Sequence, residues 1–204
     1  MDSGRWKSSG RRITVGGVTT VLLVLTHIAM NRKSPAFTSL LEESAALLES
    51  GPDRWGRANV LNLRGHEALN NLDLDRAQVL YTGSHELAVE LGDRAGQAEN
   101  LLALGHLHLL RAETEEADRA LQENRSVLEQ LHDHHQLAHA DQALALLAIS
   151  SGRDAEGEAL FQDVTRRLRE MGLTMMGGST HSALQTSTSE QGDQTLQARC
   201  SAIP

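Results

Sequence analysis

Residues 40 positions apart in this chain match in size, and that recurrence constrains the fold more than any other feature. Gly65, Gly105 and Ala145 form one column, and Ala77, Ala117 and Gly157 a second. Tyr81, Leu121 and Phe161 form a third, and Leu80, Ala120 and Leu160 a fourth. Leu91-Gly92-Asp93-Arg94 returns as Leu131-His132-Asp133-His134, and Met171-Gly172 follows at the same interval. A fixed period of this length marks a repeat architecture built of stacked supersecondary units. Each unit reads as two helices joined by a turn. Small residues let two helix axes approach, and a large residue four positions beyond fills the space beside the contact. Ser151-Gly152-Arg153-Asp154 supplies a turn whose glycine accepts a left-handed backbone. Thr114-Glu115-Glu116-Ala117 places a capping hydroxyl and acids at a helix start.

Composition agrees with an all-α reading. The 204 residues include two Trp, two Phe and one Tyr, too few aromatics for a β-sandwich or barrel. Periodic Leu and Ala through the middle argue against a disordered chain. The net charge of −8 argues against direct nucleic-acid binding, which needs an outward basic surface. That charge is unevenly placed. Residues 1–34 carry six Lys and Arg against Asp2, whereas residues 35–172 carry 12 Arg, no Lys and 24 acids. Cys200 stands alone, so no intramolecular disulfide forms, which fits a reducing compartment.

The residues Gly65, Ala77 and Tyr81, with Gly105, Ala117 and Leu121 and then Ala145, Gly157 and Phe161, resemble the tetratricopeptide repeat family. The family period is roughly 34. The longer interval here is similar to the helical-repeat arms of bacterial MalT-type and AfsR-type regulators. Leu72 and Ala112 stand where the family usually has a turn glycine, and Gly157 replaces the small alanine. The resemblance implies a right-handed α-solenoid of three to four helix-turn-helix repeats that binds a protein or extended peptide, as part of a regulatory system.

The predicted organisation has a basic extension over residues 1–12 and a divergent first repeat over 13–50. Three repeats follow at 51–90, 91–130 and 131–172, then a disordered Ser/Thr/Gln/Gly-rich tail at 173–204. The divergent repeat carries a second expectation. Residues 13–30 hold no formally charged side chain and have basic flanks, so they also read as a membrane anchor, followed by a helix over 35–49. Subtracting 40 from the columns puts Leu25 and Phe37 where small residues belong. The repeat reading predicts a cytoplasmic protein; the other predicts one held at a membrane by a single N-terminal helix.

No phosphate loop, nucleophile elbow, zinc-protease helix or helix-turn-helix is evident, so the expectation is a non-enzymatic chain with no cofactor or metal. The one catalytic alternative is a metal-dependent enzyme using His132, His134, His135 and His139, which cluster near an inter-repeat turn. His135 and His139 share a helical face, but ligand spacing alone is a weak signal. The first helix of each repeat should line the concave side of a solenoid. That places Asn59, Asn62, His66 and Asn70 together, then Glu99, Leu102, His106 and Leu110, then His139, Gln142, Leu146 and Ile149. Side-chain amides donate and accept at once, which suits the backbone of an extended peptide. This face lacks Lys, so a free C-terminal carboxylate is a poor fit.

Overall fold

A computed structural model describes residues 15–48, 52–170 and 172. The basic extension over 1–12 and the tail over 173–204 lie outside the described residues. Eight α-helices follow one another: α1 (Val15–Asn31), α2 (Phe37–Leu48), α3 (Arg54–Asn70), α4 (Leu74–Leu91), α5 (Arg94–Leu110), α6 (Thr114–Leu131), α7 (His134–Ser150) and α8 (Asp154–Glu170). No strand occurs among the described residues. The helices pair as hairpins, α1 with α2 through α7 with α8, and each hairpin packs on the next in chain order. The first helices of successive hairpins also touch, α1 on α3, α3 on α5 and α5 on α7.

Local chemistry explains where the helices start and stop. Asp53, Asp73, Asp93 and Asp133 each accept from a backbone N–H three residues ahead, at 2.8, 3.2, 3.0 and 3.0 Å. An N-cap carboxylate satisfies an orphan donor and suits the helix dipole. At α6 the cap position is Glu113, which makes no side-chain cap bond, so Thr114 is the first helical residue and not the expected cap. Within each hairpin the turn passes through a left-handed residue: Lys33 at φ 50°, Leu72 at 58°, Ala112 at 57° and Gly152 at 76°. The next residue's N–H reaches back to the helix just ended, from Ser34, Asp73, Glu113 and Arg153 to Ala29, Ala68, His108 and Ala148 at 2.8–2.9 Å. Between hairpins Gly92 and His132 take the same conformation, as does Gly172 after α8. Leu72 and Ala112 therefore fill the role of the expected glycine at the cost of a left-handed L-residue.

The size columns are packing contacts. A Cβ on Gly65 would stand 2.5 Å from Cε1 of Tyr81, and one on Gly105 would stand 2.5 Å from Cδ2 of Leu121. In the last hairpin the roles change sides: a Cβ on Gly157 would stand 2.5 Å from Cγ1 of Ile149 and 2.7 Å from the carbonyl oxygen of Ala145. Between hairpins, Leu63 clusters with Leu41, Ala103 with Tyr81 and Ala143 with Leu121. Each large second-helix residue thus packs within its hairpin and beneath the next. Buried polar side chains fasten the hairpins too. Ser84 Oγ donates to Ala58 O at 2.8 Å, and Asn124 Nδ2 donates to Ala98 O at 2.6 Å, 40 residues on.

Helix α1 departs from the period, while α2 keeps it, with Leu41, Ser44 and Leu48 buried 40 residues before Tyr81, Ser84 and Ala88. α3, α5 and α7 end at Asn70, Leu110 and Ser150, 40 apart, but α1 ends at Asn31, 39 before Asn70. The left-handed turns agree, since Lys33 precedes Leu72 by 39. Thr26 therefore stands at the position of Gly65, not Leu25 as the 40-residue subtraction predicts. Thr26 is fully buried, with its hydroxyl donating to Leu22 O at 2.7 Å and lying 3.4 Å from Ser44 Oγ. Leu25 lies 44% exposed, in a row with Val21, Val24 and Ile28. That row is the unshared face of α1. No helix among the described residues is long and apolar enough to cross a membrane.

Asp141 is buried against expectation. An ionisable side chain in an acidic chain is expected at the surface, yet Asp141 is 1% exposed on α7. Arg125 from α6 lies 3.2 Å from its Oδ1, and Arg167 from α8 bonds its Oδ2. One buried carboxylate so ties together three consecutive helices. A buried charge is tolerated only when paired in this way.

Candidate functional site

The face built by the first helices gathers much of the molecule's unusual chemistry. His27 of α1, His66 of α3 and His106 of α5 occupy one register, 39 and then 40 residues apart. Glu99 of α5 closes the row, its carboxylate 3.7 Å from Nε2 of His27, which sits two hairpins away. Tyr81 reaches this face from α4. Its hydroxyl lies 3.0 Å from Nδ1 of His66, and the two rings meet edge to face at 5.3 Å. His139 of α7 extends the line. Its ring meets His135 edge to face at 4.9 Å, and Gln142 hydrogen-bonds it.

Proton affinities vary along the row. The Glu99 carboxylate, 3.7 Å away, raises the His27 pKa above its ordinary value against the effect of burial. Burial lowers that of His66. Burial also pushes His106 down to about 4, with His66 and His139 adding repulsion. Burial and then the neighbouring His135 lower His139. Burial raises the Tyr81 phenol, so it remains a neutral hydroxyl able to donate. At neutral pH the row runs from a cation-prone end at His27, beside Glu99, to neutral imidazoles that each offer one donor and one acceptor.

The expected groove residues divide into two sets. His66, Glu99, His106, His139 and Gln142 are gathered on this face. Asn59 lies half-buried, its amide donating to Trp55 O at 3.0 Å, and Asn70 is exposed at the end of α3. Asn62 is not on the open face. It is 3% exposed, and its amide donates to Oδ1 of Asn100 at 3.1 Å. Asn100 in turn donates to Gly96 O at 2.7 Å, so the asparagines join α3 to α5 rather than meet a ligand. Leu102 packs against the apolar cluster of Leu109 and Leu144, and Leu110 is half-buried.

Sequence reasoning missed His27, Tyr81 and Asn100. The signal for His27 was present but displaced by one residue, because a uniform 40-residue period aligns Glu67 with His27 in place of His66. His108, which is two residues from His106, turns away and bonds Glu113 at 2.6 Å across the α5–α6 turn. Among the described residues, no three His, Cys, Asp or Glu side chains converge as a metal would require. The row can therefore hydrogen-bond and pair charges, and it has the spacing of the hairpins themselves. No family model and no curated protein matches this chain.

Proposed function

We propose that this chain is a non-enzymatic scaffold of the tetratricopeptide type, a right-handed α-solenoid whose concave face binds an extended peptide or protein segment. What supports the reading is the His27–His66–His106 row with Glu99, one imidazole from each of the first three hairpins along stacked first helices. An extended peptide presents a backbone amide about every 3.3 Å, so it spans such a row and meets neutral imidazoles as donors or acceptors. Tyr81 supports His66 from behind, which fixes that ring without consuming its outer nitrogen. The row of His27, His66, Glu99 and His106 contains no Lys or Arg, so the preferred ligand is not a free C-terminal carboxylate. The same reading makes the chain cytoplasmic, without cofactor or nucleic acid, and an interaction arm of a regulatory system.

The test is a pulldown with partner identification, comparing the unaltered chain with a variant carrying His66→Ala, Glu99→Gln and His106→Leu. The expected result is at least tenfold lower recovery of the identified partner at unchanged helix content. Equal recovery would sink concave-face binding.

One observation favours a second reading, an adaptor held at a membrane through residues 13–30. Val21, Val24, Leu25 and Ile28 expose 59, 53, 44 and 43% of their surface along one side of α1. Arg32 and Lys33 lie exposed just beyond them. Fractionation separates the readings: recovery only with detergent, lost on deleting residues 1–34, supports the adaptor.

A further inference from the structure

A cavity of about 580 Å³ lies away from the histidine row, between α2, α3 and α4. Its size falls within the range of small-molecule sites. Its walls depart from the repeat in a consistent way. Ala45 stands where the next two hairpins have His85 and Arg125, and Ala46 where they have Glu86 and Ser126. The longer side chains His85, Arg125 and Glu86 of the later hairpins thus have no counterpart at this junction. At the same time Arg64 replaces the leucines of the later junctions, Leu104 and Leu144. Arg57 replaces Gln97, which there donates to Ala88 O at 3.3 Å, and Leu137. Space and positive charge are introduced at the same junction.

The charges are not equivalent. Arg54 pairs with Glu90, and Arg64 lies 3.6 Å from Glu42. Arg57 pairs with no acid among the described residues, so it is the lining guanidinium there that lacks a counter-charge. The remaining wall is apolar, with Leu48, Val60, Leu61 and Leu87 beside the two alanines. A guanidinium binds a carboxylate through two parallel N–H donors. One uncompensated positive charge matches one negative charge, and the apolar wall matches an aliphatic tail.

We propose that the groove between α2, α3 and α4 binds a small amphipathic carboxylate, its head on Arg57 and its aliphatic chain along Ala45, Ala46, Val60 and Leu61. A dianionic phosphate head would leave one charge unmatched. The site is independent of the peptide face, because none of the histidine row lines it. Ligand occupancy spans the junction between the N-terminal hairpin and the rest of the stack.

Calorimetric titration of the full chain with dodecanoate, below its micelle concentration, tests the assignment. The controls are dodecyltrimethylammonium, which keeps the tail and reverses the charge, and acetate, which keeps the head. The expected result is saturable one-to-one binding of dodecanoate, at least tenfold weaker binding of either control, and at least a tenfold loss in both Arg57→Gln and Ala46→Phe. Both positions are exposed, so helix content by circular dichroism should not change. Glu99→Gln, on the other face, should bind dodecanoate as the unaltered chain does. Absence of saturable binding, equal binding of the cationic detergent, or unaltered binding in either groove variant overturns the proposal.

Discussion

Gly65 and Tyr81 pack so closely that the glycine admits no side chain, since a Cβ there would stand 2.5 Å from Cε1 and 2.7 Å from Cδ1 of the ring. Tyr81 is itself fully buried and held by His66, so it cannot swing aside freely. Gly65→Ala should therefore destabilise the chain by about 1–3 kcal/mol despite alanine's better helix propensity. Pairing it with Tyr81→Leu should recover part of the loss. Urea unfolding followed by circular dichroism gives both values.

The left-handed turn residues give a prediction of opposite sign. Ala112 sits at φ 57° and Leu72 at φ 58°, the position that Gly152 fills in the last hairpin. Left-handed backbone costs an L-residue about 1–2 kcal/mol, partly offset by the entropy that glycine loses on folding. Ala112→Gly should raise stability by about 0.5–1 kcal/mol, and Gly152→Ala should lower it by a similar amount. A higher thermal midpoint for the first and a lower one for the second is the expected pair.

Asp141 should be among the most sensitive positions outside the apolar core. Removing its charge takes from Arg125 and Arg167 the buried partner they share and leaves them Glu129 and Asp163. Asp141→Ala is expected to cost about 1–3 kcal/mol, since two cross-helix bonds are lost while both arginines keep a second acid. The neighbouring surface acid Glu129, whose ion pair with Arg125 is exposed, should cost less than about 1 kcal/mol on the same substitution. Chemical denaturation of the two variants compares them directly.

The histidine row predicts a pH dependence. His106 has a folded pKa near 4, below its ordinary value, so the unfolded chain takes up a proton first as pH falls. Its contribution is fully present above about 6.5 and is lost progressively as pH falls toward 4. His66 and His139 act in the same direction. His27 acts oppositely: its contact with Glu99 contributes below the ordinary value and is lost as pH rises through the raised one. The net expectation is falling stability from pH 6.5 to 4, with a shallower slope in His106→Leu. A slope unchanged by that substitution would count against a neutral buried imidazole.

These contacts show which parts of the molecule were legible in the sequence. The columns Gly65–Tyr81 and Gly105–Leu121 were legible because size complementarity is a property of residue type at a fixed spacing. Helical hairpins and their turns followed from the same spacing. Helix α1 was misaligned because it precedes α3 by 39 while α2 keeps the 40-residue register, and only the turn geometry at Lys33 and the burial of Thr26 reveal the offset. The site was legible in part. His66, Glu99 and His106 follow from helical register, whereas the burial of Asn62 depends on a partner 38 residues away. The burial of Asp141 was not legible for the same reason, since the two arginines that neutralise it come from other helices.

The central claim is that the first-helix face, and not the outer face, meets the partner. Site-specific photocrosslinking tests it most directly. One photoreactive residue replaces Glu99, exposed beside the histidine row, and another replaces Val79, 73% exposed on the second helix α4. The account predicts that the partner recovered by pulldown crosslinks from position 99 and not from position 79. Crosslinking from position 79 with none from position 99 would contradict it.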